Sequence, residues 1–96
     1  MKHITFFVDE KNNLVDGRSN GSETYEQVKI IYESLLRMDY IKTDYEKPMV
    51  IDFFETGGKF NGHPVYEIEF SHNNETDVDY VPSITMTEEM FKELGF

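Results

Sequence analysis

Hydrophobic and polar positions change rhythm several times along the chain, and each change marks an element. Residues 2–8 are rich in β-branched and aromatic side chains and predict a strand. Residues 9–13 predict a turn, Leu14 and Val15 a short return strand, and 16–21 (Asp-Gly-Arg-Ser-Asn-Gly) a loop of turn-forming residues. From about residue 23 the period becomes helical. Val28, Ile31, Leu35 and Met38 fall on one face, which Tyr25, Tyr32 and Leu36 widen, while Glu26, Lys29, Glu33 and Arg37 face the other way. Thr24 and Gln27 have capping-box spacing, with Ser22 as the alternative N-cap, so the pattern predicts a helix over about 23–40.

After a polar connection ended by Pro48, residues 49–56 return to strand character. Gly57-Gly58 predicts a two-residue hairpin turn. Residues 59–70 predict the next strand, with a bulge or bend at Asn61-Gly62 and Pro64. A loop over 71–75 leads to a fourth strand within 76–85, interrupted at Pro82. A short helix over about 87–94 follows, capped by Thr87 or Thr85, with Thr85 and Glu88 at capping-box spacing and Gly95 closing it. The order is β-α-β-β-β-α. It predicts an α+β fold: a single antiparallel sheet, one long helix packed across one face, and a short C-terminal helix. At 96 residues the chain reads as one compact domain, 1–96.

Composition sharpens this picture. The chain is 39% hydrophobic and 15% aromatic, which supports a modest core and argues against disorder. It has no cysteine, so disulfides, thiolate metal sites and cysteine catalysis are excluded. The apolar run near the start is broken by Asp9 and Glu10 and does not read as a signal peptide. No stretch approaches the roughly 20 apolar residues of a membrane span. A cytoplasmic location is expected. With 19 Asp and Glu against 9 Lys and Arg the net charge is −10. Such a surface repels nucleic acid and membranes and attracts basic partners.

The acidic residues recur inside predicted strands. Glu67 and Glu69 alternate with Tyr66, Ile68 and Phe70, and Asp77 and Asp79 alternate with Val78 and Tyr80. A loop centred near Asn74 sets Glu69 opposite Asp79 and Ser71 near Asp77, and Asp52 joins the same patch. Like charges across a strand pair are destabilising, so a chain that keeps them presents a negative surface to a partner. The plain alternative is a solvated face whose charges protect the strand edges. Four carboxylates on adjacent strands are also a conceivable hard-cation site, without a supporting donor pattern. Tyr25, Tyr32, Tyr40 and Tyr45 recur along or just after the helix, and Tyr32 is the tyrosine assigned to a partner or dimer contact.

Other chemistry is thin. His3, His63 and His72 have no metal-ligand spacing. The run from Asp9 to Leu14 is similar to the opening of a calcium loop but has leucine where the sharp turn needs glycine. No phosphate-binding, dinucleotide-binding, zinc-protease or nucleophile-elbow motif is present, and neither catalysis nor a cofactor is expected. The α-βββ-α portion resembles double-stranded-RNA-binding domains in element order, but with the opposite charge. The expectation is an acidic protein-binding domain that antagonises a basic, nucleic-acid-handling protein, similar in size and charge to phage counter-defence and immunity proteins. The alternative is an assembly module forming a homodimer or a subunit of a larger complex.

Overall fold

The computed structural model describes residues 1–41, 46–72, 75–77 and 81–96. Among them are six strands and two helices: β1 (His3–Val8), β2 (Leu14–Ser19), α1 (Tyr25–Arg37), β3 (Met49–Phe60), β4 (His63–His72), β5 (Glu75–Asp77), β6 (Ser83–Thr85) and α2 (Glu88–Leu94). The strands form one antiparallel sheet in the order β2-β1-β3-β4-β5, with β6 also paired to β4. This is the predicted α+β architecture.

Strand alternation decides the two faces. Ile4, Phe6 and Val8 of β1, Met49, Ile51 and Phe53 of β3, and Tyr66, Ile68 and Phe70 of β4 are all buried. They form one cluster with Val28, Ile31, Tyr32 and Leu35 of α1 and Leu94 of α2, so both helices lie on the same face. At Gly17 of β2 the missing Cβ lets Val28 of α1 approach the strand. Ser34, fully buried, ties the helices together: its hydroxyl donates to the Glu93 carbonyl (3.2 Å) and accepts from Arg37 (3.0 Å). Lys2 reaches from the start of the chain to pair with Glu23 and lies 4.5 Å from the Phe96 ring centroid.

Helix α1 begins where predicted. The Thr24 hydroxyl accepts from the Gln27 amide (3.3 Å) and the Gln27 side chain accepts from the Thr24 amide (2.7 Å), forming a complete capping box. It ends earlier than predicted, at Arg37, because Asp39 turns left-handed (φ 61°). The Tyr40 amide then donates to Leu35 O (3.0 Å) and the Asp39 amide to Leu36 O (3.1 Å), a Schellman closure. Helix α2 ends the same way. Gly95 (φ 76°) is followed by Phe96, whose amide donates to Phe91 O (2.9 Å) and whose ring sits 5.9 Å from the Phe91 ring. Thr87, rather than Thr85, caps α2 by accepting from the Met90 amide (3.3 Å).

Three turn predictions are corrected. Residues 16–19 form strand, not loop, because pairing with β1 outweighs their turn preference. The β3–β4 hairpin turns at Asn61-Gly62 (φ 51° and 80°), where both residues take the positive φ of a type I′ turn. Gly57-Gly58 instead sits in an irregularity between Glu55 and Lys59, with Gly57 at φ 85°. Finally, β4 runs on to His72 and β5 starts at Glu75, so the predicted loop at 71–75 is shorter. The last strand region is split, with β5 and β6 pairing opposite ends of β4, and β6 begins just after Pro82.

The β2 edge is closed locally. The Asn20 amide donates to His3 O (3.0 Å), so along β1 the hydrogen-bonded pairs fall at His3, Thr5 and Phe7, and the Gly17 amide points away from β1. That amide donates to the neighbouring Asp16 carboxylate (2.8 Å). No described helix is long and apolar enough to cross a membrane.

Candidate functional site

Because both helices occupy one face, the other face of the sheet is covered by no element among the described residues. Its side chains are those that alternate with the core: Asp16 and Arg18 on β2, His3, Thr5 and Phe7 on β1, Val50, Asp52 and Phe54 on β3, and Glu67, Glu69 and Ser71 on β4.

Registration brings three of the predicted acidic residues together. Arg18, Thr5, Asp52 and Glu69 stand in one cross-strand row, with Asp52 directly opposite Glu69, while Glu67 stands opposite Phe54 in the next row. Asp52 is partly compensated: its Oδ1 accepts from the Thr5 hydroxyl (2.8 Å) and lies 2.8 Å from His3 Nε2. Glu67 and Glu69 have no ion-pair partner among the described residues. A groove of about 490 Å³ runs beside this row, bordered by His3, Asn20, Asp52, Phe54 and Glu69.

The other predicted residues fall elsewhere. Asp77 opposes Phe70, and Ser71 pairs with Thr76, so the register differs by one residue from the predicted one. Only two residues separate the pair His72↔Glu75, where the prediction placed a longer loop. Asp79, expected opposite Glu69, lies outside the described residues.

Tyr32 is a core residue rather than a docking contact. It is 3% exposed, its ring centroid is 5.3 Å from that of Phe6, and its hydroxyl donates to Asn12 O (2.8 Å). Burial, and to a lesser degree the charge of Asp9, pushes its phenol up to about 12. Tyr25 is exposed and Tyr40 half-buried, while Tyr45 lies outside the described residues, so no tyrosine row is formed by those described.

The resemblance to a calcium loop has a different explanation. Asp9 Oδ1 accepts from the Lys11 and Asn13 amides (both 2.9 Å), holding the β1–β2 turn. The Asn13 backbone hydrogen bond is the main reason its carboxyl sits below the usual carboxylate range. Among the described residues no three His, Asp or Glu side chains are placed to hold a metal ion.

One feature of this face was missed by the sequence reading. Phe7 pairs with Asp16 but Val8 with Leu14, which leaves Val15 as an extra, bulged residue on β2. Val15 is 64% exposed and borders a depression of about 560 Å³ together with Phe7, Pro48, Val50 and Ser71, with Asp9 and His72 also on its lining. Phe7 and Val50 are half-buried. The Arg18 guanidinium lies 5.3 Å from the Phe7 ring centroid and pairs with Asp16 (3.6 Å). The signal for Phe7 was present: with Phe6 inward, strand alternation turns Phe7 outward. The bulge that brings in Val15 had no comparable signal. The face therefore combines an apolar end with an acidic end.

No protein-family model, curated protein or solved structure matches the chain. The functional reading rests on the chemistry of this face.

Proposed function

We propose that the chain is a non-catalytic binding domain whose helix-free sheet face docks onto a basic protein and blocks it. The observation that carries this reading is the direct opposition of Asp52 and Glu69, with Glu67 nearby, on a face that leaves apolar side chains uncovered. Like charges directly across a strand pair are destabilising, by a few tenths of a kcal/mol up to about 1 kcal/mol. A cationic partner converts that cost into attraction. The net charge of −10 accelerates encounter with a basic surface. Carboxylates at strand spacing can also occupy a groove built for phosphates, which makes a nucleic-acid-handling protein the partner class, as in counter-defence and immunity proteins. The lack of cysteine suits work in the reducing cytoplasm.

The test is affinity capture from source-cell lysate on immobilised protein and on immobilised Glu69→Lys, eluted by a salt gradient and identified by mass spectrometry. A basic protein that binds the unaltered chain directly, elutes at moderate salt and is lost on Glu69→Lys is the expected result. Recovery of nothing salt-sensitive, or of only the chain itself, overturns the reading and favours the assembly module.

A further inference from the structure

We infer that the helix-free face is a two-part site for a cationic amphipathic helix, which adds a third layer to the sheet; the inference rests on the basic-partner reading above. The first part is the depression whose apolar wall is Val15, Phe7 and Val50, with Asp9 and His72 at its end. The second is the Asp52–Glu69 pair, one cross-strand row further along. Val50 and Asp52 are two residues apart on β3, so the two parts are separated by about 7 Å along the strand.

That spacing sets the occupant. An aliphatic side chain and an Arg or Lys four residues apart on a helix are separated by about 6 Å along its axis and lie on one face. The helical form follows from hydrogen bonding. A sheet face, unlike a sheet edge, offers no backbone donors or acceptors, so a segment laid on it must satisfy its own. The chain's own helices already cover the opposite face in this way. Charge complementarity selects the cationic helix, since Glu67 and Glu69 lack ion-pair partners among the described residues and the chain as a whole carries −10. Arg18 shares the cross-strand row of Asp52 and Glu69, but it leans over the Phe7 ring and pairs with Asp16 (3.6 Å), which leaves the Asp52–Glu69 pair to an incoming cation.

The experiment is an NMR titration of the isotope-labelled full chain with three stapled helical peptides. One carries Leu and Arg at i, i+4 on one face, one has each Leu replaced by Ser, and one has each Arg replaced by Glu. The Leu/Arg peptide is expected to bind saturably, with shifts concentrated at Phe7, Val15, Val50, Asp52 and Glu69, and about tenfold tighter than the Ser/Arg peptide. Val15→Ser, at an exposed position outside the core, should weaken the Leu/Arg peptide several-fold and leave the Ser/Arg peptide unchanged. Glu69→Gln should weaken both. Equal affinity for the two cationic peptides, with shifts spread over all acidic positions, overturns the two-part site while leaving the basic-partner reading standing. Failure of both cationic peptides to bind at low salt counts against both readings, and binding of the Leu/Glu peptide overturns the charge argument alone.

Discussion

Alanine in place of Gly17 would put its Cβ 2.4 Å from Val28 Cγ1 and 3.4 Å from Val28 Cβ. The first distance is well inside contact, so something must move. Val28 is 1% exposed and sits on a helix, where a β-branched side chain has essentially one comfortable rotamer. Relief therefore requires α1 to lift from β2 or Val28 to leave its rotamer. Overpacking of this kind costs about 1–3 kcal/mol. Set against it is the usual gain from replacing glycine within a strand, about 0.5–1 kcal/mol. Gly17 is not in the left-handed region, so that gain applies in full. The net expectation is a loss of up to about 2.5 kcal/mol, which for a chain of this size lowers Tm by up to roughly 10–20 °C. Urea denaturation followed by circular dichroism suits a protein without tryptophan. The midpoint should fall at unchanged slope. Pairing the change with Val28→Ala completes the argument. Once the Cγ atoms are gone, Gly17→Ala should become neutral or stabilising, a coupling of at least about 1 kcal/mol between the two sites. A Gly17→Ala single variant stabilised by the full glycine gain, or zero coupling with Val28→Ala, would refute the close contact.

Three further outcomes follow from local geometry. Gly95→Ala should destabilise by about 1 kcal/mol through its left-handed φ alone, since a Cβ there meets nothing within 4 Å, and D-alanine installed by synthesis should restore the loss. Thr24→Ala should cost about 1 kcal/mol in thermal melts by removing one arm of the capping box, and Thr24→Ser should cost little. Burial chiefly holds Tyr32 and Tyr66 at about 12 in the folded chain, against 10 for a free phenol. The unfolded chain then loses these protons first. Stability should be flat up to about pH 10 and fall steeply between about 10 and 12, with Tyr32→Phe flattening part of that fall in pH-dependent urea melts.

The parts of this fold legible in the sequence are those that local chemistry decides. The N-cap at Thr24, the inward stripe of α1 and the alternation of Glu67 and Glu69 with the core of β4 need only neighbouring residues. Tyr32 was legible too, since it stands four residues after Val28, on the buried stripe. Its identity as tyrosine suggested an interface where its position indicated core. The hairpin turned on two competing signals. Gly-Gly and Asn-Gly both permit positive φ, and asparagine's tolerance of the left-handed region decided for Asn61-Gly62. Strand β2 and the bulge at Val15 depend on pairing with β1, which no local pattern announces, and so the apolar half of the binding face stayed hidden while its acidic half could be read. The opposition of Asp52 and Glu69 needs both the turn at Asn61-Gly62 and the two-residue register shift between Glu55 and Lys59, since the turn alone would set Asp52 opposite Ser71.

The carboxylate of Asp16, folded back onto the amide of its own neighbour Gly17, bears on how copies of this chain behave when crowded. A second molecule adding its strand to β2 would need that amide as a donor, and would have to displace and dehydrate a charged group to reach it. Fibre growth by edge-to-edge stacking is therefore disfavoured at this edge during synthesis and at high concentration, when unfinished sheets are most exposed.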